Sequence, residues 1–183
     1  MRNLKLQVQI TADGFIAGPQ GEMDWMTFDW DDELKNYVAA LTEPVDCILL
    51  GRKLAQGFIP HWAAQPRGED AWFVDKMNLS AKVVFTQTLA HSKWDNTVLA
   101  KGNLAEEVGR LKREASGDMI AYGGATFVSA LIRENLIDDL YLFVNPVALG
   151  SGLAIFTDRT NLQLVSAHAF NCGIVAHHYR PRG

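Results

Sequence analysis

Two apolar runs in this chain, Val45 to Leu50 and Met119 to Tyr122, stop at glycine, and helix-like spacing begins directly after each. This punctuation constrains the fold more than any other feature. A strand that passes straight into a helix cannot turn back as a hairpin. The helix must cross the sheet, and the next strand then returns parallel to the first. The same alternation extends along most of the chain. Leu4 to Ile10 alternates apolar and polar residues, as a strand does. Asp31 is placed to N-cap a helix whose inner face carries Leu34, Tyr37, Val38 and Leu41. Lys82 to Thr86 and Thr97 to Leu99 read as strands. Leu104, Val108 and Leu111 mark a helix ending by Gly117, and Ala125 to Glu134 reads as another.

Beyond these helices the pattern changes. Leu140 to Val147, Gln163 to Phe170 and Ile174 to Tyr179 read as strands with no helix between them, and Asn171-Cys172-Gly173 turns the last hairpin. The expected architecture is a three-layer α/β domain spanning residues 1–183. A mostly parallel central sheet carries helices on both faces and ends in antiparallel C-terminal strands.

Composition narrows the class of partner. The formal net charge of −4 gives no attraction to nucleic acid or to an anionic membrane. No apolar run approaches the roughly 20 residues that span a bilayer. Met1-Arg2-Asn3-Leu4 leads straight into the first strand, so we expect no signal peptide and a cytoplasmic location. Cys47 and Cys172 lack CxxC spacing and read as reduced thiols. His177 and His178 are strand neighbours that point to opposite faces, and His61, His91 and His168 stand alone, so no metal site is expected.

The chemistry of a parallel sheet gathers at its carboxyl edge. Gly51-Arg52-Lys53 and Gly123-Gly124-Ala125-Thr126 lie there, with Lys101-Gly102-Asn103 as a looser third case. Each places a helix N-terminus, with its unpaired N–H groups and positive dipole end, where a phosphate could sit. Glycine lets a pyrophosphate touch the backbone, and Arg52 adds a cation of matching fork geometry. A glycine pair after a strand can also be a plain turn. Finding two such ends in one chain favours a dinucleotide.

Four segments carry a family resemblance: Thr11-Ala12-Asp13-Gly14-Phe15-Ile16-Ala17-Gly18, Asp46-Cys47-Ile48-Leu49-Leu50-Gly51-Arg52-Lys53, Tyr122-Gly123-Gly124-Ala125, and Asn145-Pro146-Val147-Ala148-Leu149-Gly150-Ser151-Gly152 with Phe156 after it. Together they resemble the dihydrofolate reductase superfamily, in its riboflavin-biosynthesis reductase branch. The fourth segment is the most discriminating, because folate reductases do not carry it there. The H-x-E and P-C-x-x-C pattern of the zinc deaminases, which are fused to some members of that branch, does not occur.

The resemblance implies NADPH along the carboxyl edge. It places Ala12, Ile16 and Gly18 of the first loop, Gly51, Arg52, Lys53, Gly123, Gly124, Ala125 and Thr126 around the cofactor. Thr86, Gln87 and Thr88 would stand near the adenosine 2′-phosphate. Gln87 replaces an arginine common among relatives, Leu54 replaces a hydroxyl, and Lys101 is placed to restore the missing charge. Trp25 matches a pocket tryptophan of the substrate site. Asp29, Asp31, Asp32 and Glu33 all crowd the start of the following helix without a decisive spacing, and counting back from Gly51 favours Glu33 or Asp32 as the catalytic carboxylate, although acids at a helix start also serve the dipole.

The implied activity is an NADPH-dependent reductase that passes a hydride to a small heterocyclic or carbonyl substrate. It is similar to 5-amino-6-(5-phosphoribosylamino)uracil reductase. Folate reduction is the alternative within the class, disfavoured by the Pro146 to Gly152 segment and by Val128. A nucleotide-binding protein without turnover is the alternative of another class. Resembling domains pair through C-terminal strands, so a homodimer is expected, with Leu140, Leu142, Ile174 and Val175 as its apolar residues.

Overall fold

A computed structural model describes residues 1–114 and 116–182. Eight strands form one sheet in the order β5-β4-β3-β6-β1-β7-β10-β9. They are β1 (Leu4–Thr11), β3 (Val45–Gly51), β4 (Ala81–Phe85), β5 (Thr97–Ala100), β6 (Asp118–Ala121), β7 (Asp139–Asn145), β9 (Leu162–Ala169) and β10 (Val175–Pro181). Short strands β2 (Phe15–Ala17) and β8 (Leu153–Ala154) pair with each other beside it. The expected mostly parallel sheet is present. Each pair from β5 across to β7 is parallel, and β10 runs antiparallel to both β7 and β9.

Helices cover both faces, as the alternation requires. On one face α4 (Leu104–Lys112) and α5 (Ala125–Arg133) pack Val108, Leu111, Val128 and Leu131 against Leu4, Leu6, Leu49 and Met119. On the other lie α1 (Asp32–Thr42), α2 (Arg52–Ala63) and α3 (Ala71–Leu79). There Ala55, Ile59 and Met77 meet Ile48, Leu50 and Ile120, and Leu34, Val38 and Leu41 meet Phe143, Phe170 and Ile174. The Asp31 side chain accepts from the Leu34 N–H at 2.8 Å, which caps α1 as expected. Its other oxygen accepts from Cys172 N–H, tying the start of α1 to the β9–β10 turn.

Two features were not legible in the chain's pattern. Helix α3 carries Trp72, Phe73, Val74 and Met77 in near-continuous succession, so no single apolar stripe announces it. Strands β2 and β8 are too short for periodicity to register.

The final strands also correct the expected interface. Leu140, Leu142 and Ile174 are core residues, at most 7% exposed. The exposed apolar side chains of this region are Leu164 and Val165 on β9, the outermost strand.

Candidate active site

Strands β3 and β6 are hydrogen-bonded neighbours, yet the helices that follow them leave toward opposite faces of the sheet. A crevice must open where neighbouring strands diverge in this way. A cleft of about 1700 Å³ does so here. That exceeds the roughly 300–1,000 Å³ that one small ligand needs, so the cleft has room for more than one.

One end of the cleft is built for an anion. Gly51 is the N-cap of α2 and Gly124 of α5, and neither helix start has a side-chain cap among the described residues. The other three helices are capped by Asp31, Asp70 and Asn103. The N–H groups left free are the two sets that border the cleft, together with Arg52, Lys53, Ala125 and Thr126. Gly123 and Gly124 have φ of +148° and +79°, which glycine adopts without strain. A Cβ on either would meet only Leu54 or Phe127 at 3.9 Å, so the space above this turn is open. Gly51 is different, because a Cβ there would press on Phe127 Cβ at 2.9 Å.

The cleft is also rich in aromatic side chains. Trp30, Phe58, Trp62, Trp72 and Phe73 border it, with Phe58 stacked on Tyr122 at 5.6 Å and Trp62 edge-on to Phe73 at 5.4 Å. Trp62 and Trp72 are brought to the cleft by α2 and α3, whose mutual packing no local pattern reveals, and Trp30 by the loop before α1. Gln7 and Gln9 rise from β1 into the same space. Burial holds the Tyr122 phenol well above its usual range, so it stays protonated.

The expected site residues divide into two groups. Ile16, Gly51, Arg52, Lys53, Gly123, Gly124, Ala125 and Thr126 all border the cleft. Ala12 and Gly18 flank it: Ala12 N–H donates to the Val147 carbonyl, and Gly18 N–H to that of Glu22. Thr86, Gln87, Thr88 and Lys101 gather at the neighbouring ends of β4 and β5, beyond the cleft lining. There the Thr86 hydroxyl accepts from the Thr88 and Leu89 N–H groups. Gln87 donates to the Lys101 carbonyl, and Lys101 Nζ to that of Ala90. Gln87 thus touches the Lys101 backbone, while the Lys101 ammonium is turned to the Ala90 carbonyl.

The substrate-side expectations fare differently. Trp25 is 7% exposed and does not border the cleft, its Nε1 without a hydrogen-bond partner among the described residues. Glu33 turns toward β9, where its carboxylate meets His168 Nε2 at 2.8 Å, and neither Glu33 nor Asp32 borders the cleft. The first turn of α1 faces β9 because Leu34 and Val38 must face the core. The carboxylates that do border the cleft are Asp29, in the preceding loop, and Glu69 and Asp70, at the start of α3.

The Pro146 to Gly152 segment acts through the backbone. Asp13 accepts from Thr11 Oγ1 at 2.6 Å and from the Gly150 and Leu149 N–H groups at 2.7 and 3.2 Å. The Thr11 hydroxyl, then the Gly150 N–H, hold the Asp13 carboxyl below its usual range. This bridge locks the first-strand loop to the later segment, and β2 pairs with β8 beside it. Ile16, Ala17 and Leu153 of that small sheet wall the cleft.

Residues 2–176 match the RibD C-terminal domain family. The chain belongs to this family. It is 33% identical to the Bacillus subtilis protein YyaP over 181 residues, covering 95% of this chain and 92% of that one. RibD from Acinetobacter baumannii superposes with a TM-score of 0.74 at 15% identity, over 100% of this chain and 59% of that longer one. Dihydrofolate reductase from Enterococcus faecalis superposes with a TM-score of 0.63 at 16% identity, over 99% and 97%. The fold is thus that of dihydrofolate reductase, and the RibD family points to a reductase. Among the described residues no group of three or more His, Cys, Asp or Glu could hold a metal ion, and no helix is long and apolar enough to cross a membrane.

Proposed function

We propose that this RibD-family chain is an NADPH-dependent reductase acting on a small heterocyclic or carbonyl compound. The observation that carries the reading is the pair of uncapped helix starts, at Gly51 and Gly124, opening on one cleft. Their free N–H groups, with Arg52 and Lys53, suit a pyrophosphate by charge and by shape. The Gln87 and Lys101 corner lies further along the same carboxyl edge, where the adenosine phosphate of a dinucleotide would reach. When bound, the reduced nicotinamide supplies a hydride to an electrophilic carbon. Phe58, Trp62, Trp72 and Phe73 exclude water from that region. Asp29, one of three carboxylates that border the cleft, is placed to orient the reacting molecule or relay a proton.

Fluorescence titration tests the cofactor. NADPH should bind at least tenfold tighter than NADH, about 1.4 kcal/mol, and Arg52→Ala should weaken both. NADH binding as tight as NADPH would refute the preference. The position of Glu33 outside the cleft favours one other reading, a nucleotide-binding protein without turnover. Stopped-flow oxidation of bound NADPH by pterins, pyrimidines or quinones separates the two.

We also propose a homodimer formed through β9. Among the described residues that strand has one unpaired edge, and it exposes Leu164 and Val165. A free edge of eight residues bearing apolar side chains is normally covered. Light scattering at micromolar protein should give twice the chain mass, and a monomer would contradict the proposal.

A further inference from the structure

Nine large apolar side chains are exposed among the described residues, and four of them border the cleft: Met23 at 51%, Met26 at 39%, Trp72 at 43% and Leu153 at 37%. Exposed apolar residues scattered singly over a surface call for no explanation. Four around one opening, from three separate stretches of chain, do. None of them belongs to a core cluster, so the packing of the fold does not account for them.

The two methionines belong to one turn. Within it Met26 N–H donates to the Met23 carbonyl at 3.2 Å, and Thr27 N–H to that of Trp25 at 3.0 Å. Trp25, between them, is buried and anchors the turn, while Met23 and Met26 stay in the open. Trp72 is presented in a similar way. Asp70 accepts from its N–H at 2.8 Å to start α3, and Val74 rather than Trp72 turns to the core.

Charge does not choose the guest, because Lys35, Arg52 and Lys53 balance Asp29, Glu69 and Asp70 around the cleft. Apolar area does, since covering these side chains removes them from water. Methionine is unbranched and polarizable, so it moulds itself to substituents of differing shape. The cleft, at about 1700 Å³, has room for such a substituent beyond the reacting part of a ligand.

We infer that Met23 and Met26 determine specificity by covering an uncharged apolar substituent, alkyl or aryl, on the compound bound in the cleft. The inference rests on the reductase reading only in taking that compound to be the substrate.

The test compares 4′-methylacetophenone with 4′-butylacetophenone, which share one uncharged aryl ketone and differ by three methylenes. Dissociation constants are measured by ligand-observed NMR on the full chain, with and without NADP⁺, which cannot donate a hydride. Complete burial of one methylene tightens binding roughly fourfold, so wild type should bind the butyl ketone at least tenfold tighter than the methyl one. The double variant Met23→Gln, Met26→Gln keeps the length of both side chains at exposed positions. It should lower that preference below about threefold while the melting temperature holds. Equal binding of the two ketones by wild type would overturn the inference. So would a double variant that keeps the tenfold preference, or a wild type that binds neither ketone at millimolar concentration. The preference in a protein that binds neither NADPH nor NADP⁺ would uphold this inference and refute the cofactor reading. NADPH binding without the preference would do the reverse.

Discussion

Ala125→Asp should raise the dissociation constant for NADPH at least 100-fold, about 2.7 kcal/mol, while the protein remains folded. Ala125 is the first residue of α5 and borders the cleft beside Gly123 and Gly124. A carboxylate there would lie among the N–H groups assigned to the pyrophosphate. It would repel the phosphates and occupy the dipole that draws them. The same carboxylate favours the helix itself by about 0.3–1 kcal/mol, so the melting temperature of the free protein should hold or rise. Loss of cofactor without loss of stability is a signature that general destabilisation cannot imitate. Gly123→Asp would be a poorer probe, because φ of +148° at that residue strains any side chain. Ala125 is helical and carries no such penalty. A folded Ala125→Asp protein with wild-type affinity for NADPH would place the cofactor elsewhere.

Gly152→Ala should destabilise the protein by about 1–3 kcal/mol, the usual range for a side chain forced into filled space. An added Cβ would meet Phe15 Cβ at 2.9 Å and come still closer to the Ala17 carbonyl oxygen. Backbone cannot swing aside as a flexible side chain can. The strain would fall on the β2–β8 pairing, and Ile16, Ala17 and Leu153 would shift with it. Cofactor affinity should therefore fall together with the unfolding midpoint. Gly150→Ala is the comparison: φ is +75° and the space is open, so only the backbone cost of about 1–2 kcal/mol applies, without loss of affinity. Thermal unfolding and NADPH titration of both variants check this. Gly152→Ala at wild-type stability would mean that the two loops can separate freely.

These two glycine-bearing segments also show what could be read from the residues alone. Strand-to-helix switches at Gly51 and Gly123 are local events, decided by apolar periodicity and by a residue without Cβ. Both were legible, and with them the parallel sheet and the helix starts along its carboxyl edge. The Asp31 cap of α1 and the turn at Asn171-Cys172-Gly173 were legible for the same reason, since each is settled within a few residues.

Tertiary packing decided the rest. Which acid meets the cleft depends on how α1 is rotated, and Leu34, Val38 and Leu41 set that rotation by burial against Phe143 and Phe170. Glu33 is thereby carried to His168, and Asp29 is left at the cleft. Whether Trp62 and Trp72 serve the core or the cleft depends on where α2 and α3 lie, which no short window of residues specifies. Gln7 reads as one polar position of an alternating strand, the kind that normally faces water. Only the packing of α1 over β1 and the neighbouring Tyr122 turns it into a buried amide in want of a partner. Periodicity governs which face a residue takes, because the strand repeat is a property of the backbone. What that face meets is a property of segments far apart in the chain, and it exists only once they are packed together.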